Sequence, residues 1–211
     1  MSKIDLSDIR EGFYKCRDFE ISNLWQRSIF LSAFLLLCFS GYGIIIKYIL
    51  ENSENIIMHE LASFLSIVGM VFSILWVMMG KASKAWYEFY EHQICTIEKE
   101  TDLGIKEDYQ MGNGIYNSDT CTIDSNIFTR NAGNYSPSKI NIFIGHICMI
   151  IWMLTFIIHM CIIGYKMFPN LCSIDKIHPF IFSFLTILFI VVIFTAIKNK
   201  WAKSGFLSEF L

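Results

Sequence analysis

Charge is what this sequence has least of. Asp, Glu, Lys and Arg make up only 17% of its 211 residues, against roughly 25% in an ordinary soluble domain, so the chain lacks the polar groups to cover its own surface in water. Proline is scarce as well: three prolines and twelve glycines leave no room for a collagen-like or low-complexity chain. There is no basic excess. A net charge of −2 and a pI near 6.2 exclude nucleic-acid binding through bulk electrostatics, and no direct nucleic-acid partner is expected. Signatures of chemistry are missing too. The sequence has no C-x-x-C, H-E-x-x-H, P-loop or G-x-S-x-G pattern and no paired intramembrane carboxylates, so neither an enzyme nor a cofactor nor a metal site is expected. Its seven cysteines are scattered where zinc or iron–sulfur ligands would cluster. Only Cys161 and Cys172 could meet in an oxidising compartment.

What is present is apolar: 54% hydrophobic and 16% aromatic residues. Ser28–Ile46, Leu61–Gly80, Ile140–Tyr165 and Ile177–Ile197 carry no Asp, Glu, Lys or Arg. Each can cross the roughly 30 Å hydrocarbon core, which takes about 20 residues at 1.5 Å rise. A cleaved leader is the rival reading of the first run, but five acids precede it and no small-residue cleavage site follows, so a retained helix is expected. The expected fold is an all-α membrane protein with four transmembrane helices, the second extended into the cytoplasm. Between helices 2 and 3 stands a cytoplasmic loop or small β subdomain. The corresponding divisions are 1–27, 28–80, 81–139, 140–197 and 198–211. Of 17 basic residues, all but Lys47, Lys166 and Lys176 lie in the two tails or the central loop, which places both termini and that loop in the cytoplasm. Trp25, Trp76 and Trp201 then fall near the cytoplasmic interface, where an indole keeps its ring in headgroups and its N–H in water.

Several faces stand out on these helices. Ala62, Ser66, Gly69 and Ser73 recur at steps of four, three and four, with Gly80 seven residues on. Such a stripe either allows close helix packing or lines a pore in an oligomer. Past Gly80 the helical pattern continues to Asp102 without Pro or Gly. There Trp86, Phe89, Tyr90, Gln93, Ile94 and Ile97 make a largely apolar face to be covered by the headgroup layer, by the N-terminal segment or, as the favoured reading, by the same helix of a neighbouring subunit, and Lys84, Glu88, Glu91, Glu98 and Asp102 make a charged one. The segment Leu6–Trp25 reads as an amphipathic helix along the membrane face, with Ile9, Phe13, Cys16, Phe19 (or Glu20) and Leu24 on its apolar side. Arg17, Glu20 and Arg27 precede the first span and Glu88, Glu91 and Glu98 follow the second, so these charges either pair across the two helices or are separately solvated. Leu103–Ser138 reads as loop, with Ile105–Tyr116 and Thr120–Phe128 as candidate short strands. His146 and His159 lie inside the third span, where an imidazole either hydrogen-bonds a neighbouring helix or serves a proton or ion relay.

Three stretches together, Tyr14–Arg27, Lys84–Glu100 and Ser138–Asn141 leading to Ile151-Trp152, resemble the RipA family of octameric bacterial inner-membrane proteins. The resemblance covers about residues 14–165 and rests on the spacing of Arg, Trp, Glu and Asn. It implies a multi-pass homo-oligomer, octamer or tetramer, of the bacterial inner membrane whose cytoplasmic region makes the functional contacts. The expected function is a scaffold or sensor that binds a cytoplasmic protein or small ligand, its other partners being the lipid bilayer and copies of itself. The alternative is a membrane effector of an antiphage defence system that conducts ions or perturbs the bilayer as an oligomer.

Overall fold

The structure, a computed structural model, describes residues 5–52, 55–100, 103–111 and 135–167. Three long helices account for nearly all of them: α1 over Leu6–Glu51, α2 over Ile56–Glu98 and α3 over Pro137–Met167. All three are long and apolar enough to cross a membrane. At 1.5 Å per residue α1 and α2 are about 65 to 70 Å long, roughly twice the bilayer core.

The helix ends follow local chemistry. Asp5 caps α1 by accepting from the Ser7 backbone N–H (3.4 Å) and hydroxyl (2.9 Å), and Asn55 caps α2 through the Ile57 N–H (3.1 Å), each supplying an acceptor to the orphan donors of a first turn. Pro137 takes the first position of α3, where its missing N–H costs nothing.

One expectation gives way here. No break occurs at Arg27: the N-terminal segment and the first span are a single helix. Its buried side matches the apolar pattern only in part: Leu24 is buried, Phe13 reaches Tyr90 of α2, and Glu20, the alternative to Phe19, has only 16% of its side chain exposed. Phe19 and Ile9 are exposed at 65% and 37%, and Cys16 is exposed, whereas Arg10, Tyr14 and Arg17 turn toward α2. The phase is set by the membrane part, where Leu24, Ser28, Leu31, Leu35 and Cys38 are buried at alternating steps of four and three. Extending that repeat toward the N-terminus lands on Ile21, Arg17, Tyr14 and Arg10, and the acids on α2 make those positions the favourable ones to bury. The second helix continues past Gly80 to Glu98 as its composition suggests. The described part of the candidate strand over 105–116 is instead a 3₁₀ turn at Glu107–Tyr109, because the backbone turns at Gly104 (φ +60°) and the Met111 N–H is taken by the Glu98 carboxylate rather than by a neighbouring strand. There is no strand among the described residues. The fourth span, the candidate strand over 120–128 and Cys172 lie outside them.

The chain divides into two compact units. In the unit built from Met1–Phe34 and Ser73–Ile147, the three helices meet at Asn141. Its amide N–H donates to Ser28 Oγ on α1 (2.7 Å) and its carbonyl accepts from the Trp76 indole N–H on α2 (2.9 Å), all three side chains being buried. Here Gly80 lies against Ile142, and Gly145 against Val77. The unit built from Leu35–Phe72 and Cys148–Leu211 centres on Trp152. This ring is completely buried, stacks on Phe39 with centroids 4.5 Å apart, and fills the space over Gly69, where a Cβ would overlap the indole. Ser63 and Ser66 satisfy their hydroxyls on the carbonyls one turn back (2.9 and 2.8 Å), so their burial strands no donor.

Candidate functional site

Glu98 is the most constrained charged residue of the described chain. It closes the last turn of α2 with its side chain completely buried. A carboxylate can stay ionised there only if its lone pairs are filled, and the chain fills them from three directions. Arg10 of α1 grips Oε1 through Nε (2.7 Å) and Nη2 (2.6 Å), Tyr14 one turn on donates its hydroxyl to the same oxygen (3.0 Å), and the Met111 backbone N–H donates to Oε2. Gly104 makes that last contact possible by reversing the chain after α2. The Met111 carbonyl in turn accepts from the Cys95 thiol (3.0 Å). Thus α1, α2 and the segment to Met111 are locked by one carboxylate. The arginine guanidinium also lies 5.0 Å above the Tyr14 ring, and its pKa is raised by hydrogen bonding to Glu98. Burial first, and then the Glu98 carboxylate, push the Tyr14 phenol above its ordinary value.

Two further ties run along the same pair of helices. Arg17 Nε lies 3.0 Å from Glu91 and its Nη1 3.0 Å from Asp18. Arg27 donates to Ser83 Oγ (2.8 Å) and stands 3.7 Å from Glu20, two turns earlier on α1. Of the charges singled out in the sequence, Arg17 and Glu91 pair across helices and Glu98 is paired with Arg10. Glu20 and Arg27 face each other on one helix, and Lys84 pairs with Glu88 on its own helix. Trp86, Phe89 and Tyr90 form an aromatic cluster, with Trp86 stacked on Tyr90 at 6.0 Å. Part of this face is covered within the chain, since Phe13 lies 6.2 Å from Tyr90 and Ile94 is fully buried. Trp86, Phe89, Gln93 and Ile97 remain half-buried. Beside Glu98 opens a cleft of about 610 Å³ lined by Glu98, Lys99, Glu100, Gly104, Ile105, Glu107 and Gln110.

The small-residue stripe points into the chain. Ala62, Ser66 and Ser73 are completely buried, Ser66 accepts from Thr155 of α3 (3.1 Å), and Gly69 and Gly80 receive Trp152 and Ile142. His146 turns its Nδ1–H to the Ile142 carbonyl of its own helix (3.0 Å). His159 does reach other helices, contacting Tyr42 and His59 at 3.0 Å each. Among the described residues no group of three or more His, Cys, Asp or Glu converges on a metal position. Cys161 is exposed.

Arg10, Tyr14, Ser28 and Asn141 carry contacts that the sequence reading did not single out. The signal for the first three was the four-three repeat of α1 carried outward from the membrane. For Asn141 it was the lone amide at the start of an apolar span. A family model, that of the octameric membrane protein family (8xMP), matches residues 8–161, a stretch that holds the Glu98 cluster, the Asn141 node and Trp152. No curated protein and no solved structure matches the chain.

Proposed function

The chain belongs to the octameric membrane protein family, and from that premise we propose that it is a multi-pass inner-membrane homo-oligomer acting as a scaffold or sensor through its cytoplasmic region. The observation that carries this reading is the Glu98 lock. Where α1 and α2 pass beyond their apolar parts they form a paired, ion-bonded stalk, and at its end three chain segments share one buried carboxylate next to an open polar cleft. A buried charge held by several partners has few acceptable arrangements, so whatever binds at the cleft and competes for Arg10 or the Met111 N–H would be felt along both helices. No step of this reading needs a nucleophile or a metal, and the role is binding rather than catalysis.

The effector reading needs a water-filled path. Its sequence candidate was the serine and glycine stripe, and the burial of Ser66 and Ser73 inside the chain favours packing over pore lining. Two measurements on the purified oligomer test the choice. Eight subunits by light scattering in detergent, with no current across a planar bilayer, is the expected result. Conductance by the unmodified oligomer would favour the effector instead.

A further inference from the structure

Inside apolar stretches of the unit that contains Leu35–Phe72 and Cys148–Leu211 lies a hydrogen-bonded chain that the scaffold role does not use. Nδ1 of His59 stands 3.0 Å from Nδ1 of His159, and Nε2 of His159 stands 3.0 Å from the Tyr42 hydroxyl. Each of the three helices contributes one member. The two imidazoles are only 3% and 2% exposed, so their nitrogens have each other and Tyr42 in place of bulk water. A neutral imidazole has one protonated and one bare nitrogen. Two facing Nδ1 atoms can therefore bond only when one holds a proton and the other does not.

We propose that Tyr42, His159 and His59 form a proton site, which accepts one additional proton per subunit and can pass one along its length. In the accepting arrangement His59 carries its proton on Nδ1 and donates it to the bare Nδ1 of His159, which holds its own proton on Nε2 and donates that to the Tyr42 oxygen. Nε2 of His59 is then free to bind the incoming proton. Transfer follows by the His59 Nδ1 proton moving to His159 Nδ1, the His159 Nε2 proton moving to Tyr42, and the original Tyr42 proton passing to a water molecule at the half-exposed phenol. One proton enters, one leaves, and both rings end neutral. When the Tyr42 hydroxyl instead donates to His159, His59 holds its proton on Nε2 and the site is closed to uptake, so the phenol direction acts as the gate.

The surroundings limit uptake to one proton. On α2 the next residue, Glu60, is buried, 4% exposed, and on α3 Lys166 acts on His59 electrostatically as a positive charge. From α1 the titratable group that faces the pair is Tyr42. A second proton would place two cations about 3 Å apart in a low-dielectric setting, so the pair must titrate as one coupled unit. A metal ion fits less well, since zinc needs three or four protein ligands and no such group converges among the described residues.

The full-length oligomer labelled with ¹⁵N in its histidine rings, in lipid nanodiscs, provides the test by NMR from neutral to acidic pH. Expected are a through-hydrogen-bond coupling between two ring nitrogens and uptake of a single proton by that pair in one step, both lost in His159→Gln. Tyr42→Phe, which keeps the ring packing, should retain the coupling but shift the His159 Nε2 resonance and the pH of uptake. Independent titration of the two rings without coupling overturns the proposal, as does indifference of the pair to Tyr42→Phe. Stoichiometric binding of added zinc that His59→Gln abolishes, without any one-proton step, would make the pair a metal site and overturn it as well.

Discussion

Arg10 and Glu98 show at the scale of single residues why a charged pair here is structural. Arg10→Met strands a fully buried carboxylate, which should cost about 3 to 5 kcal/mol. Arg10→Met combined with Glu98→Met should be less damaging than Arg10→Met alone, because no uncompensated charge is left. Residual oligomer after a heating series, read by size exclusion, ranks the variants. Arg17 and Glu91 are different, with side chains 27% and 35% exposed, so water screens them and each reversal alone should cost nearer 1 kcal/mol. Arg17→Glu with Glu91→Arg should recover part of the loss, since residues in contact are non-additive by about 0.5 to 3 kcal/mol. Strictly additive losses in that cycle would mean the pair contributes nothing. Tyr14 adds a pH dependence. Its phenol is raised from 10.0 by burial and by Glu98, so its contribution is fully present below pH 10 and is lost as pH rises through the higher folded value. The stability gap between the wild-type protein and Tyr14→Phe should accordingly narrow only on the alkaline side of pH 10.

Elements are held together in this molecule by close approach and buried hydrogen bonds, because lipid offers helices no hydrophobic gain from hiding apolar faces. Gly69 is the sharpest case: any side chain must displace the Trp152 ring. Gly69→Leu should cost about 1 to 3 kcal/mol or more through overpacking, whereas Val68→Leu, on a half-exposed face, should leave thermal stability and assembly near wild type. Equal size-exclusion profiles for the two would remove Gly69 from the packing account. Asn141 tests the polar side of the same argument. Asn141→Leu would leave the buried Trp76 N–H without its acceptor and deprive Ser28 of a donor, a loss of about 1 to 3 kcal/mol.

For the whole molecule the informative surfaces are those that face outward. Phe30, Leu36 and Leu37 on α1 and Phe143 on α3 are exposed at 62% to 70%, and such surface needs lipid tails or other subunits around it. Membership of an octameric family adds copies of the chain to what can meet it. The proposed orientation makes its own prediction: reporters fused after Leu211 and inserted near Asn117 should both read as cytoplasmic, and replacing Lys81 and Lys84 should weaken that bias without inverting it, since most basic residues of the tails and central loop remain. Periplasmic activity at either position would reverse the topology.

Some of this was decided by residue order alone. Uncharged runs of about 20 residues can persist only in lipid, and in lipid only helices and closed barrels satisfy their own backbone groups, so long apolar helices and a membrane location were legible, three of the four expected spans lying among the described residues, as was the family from the Arg, Trp, Glu and Asn spacing. The continuation of α2 to Glu98 was legible because nothing in Lys81–Glu98 breaks a helix. Even the pairing of Arg17 with Glu91 was one of two open readings, set by their equal distance from the first and second spans. Which way α1 turns its faces was not legible, because an apolar pattern ranks Phe19 above Arg17 for burial and the ranking reverses only when Glu91 and Glu98 lie opposite. The meeting of His59 with His159, 100 residues apart, and of Asn141 with Trp76 and Ser28 likewise depends on the register of one helix against another. Within each unit that register follows the fit of distant segments, such as Trp152 over the missing side chain of Gly69, a matter of shape that no local pattern contains.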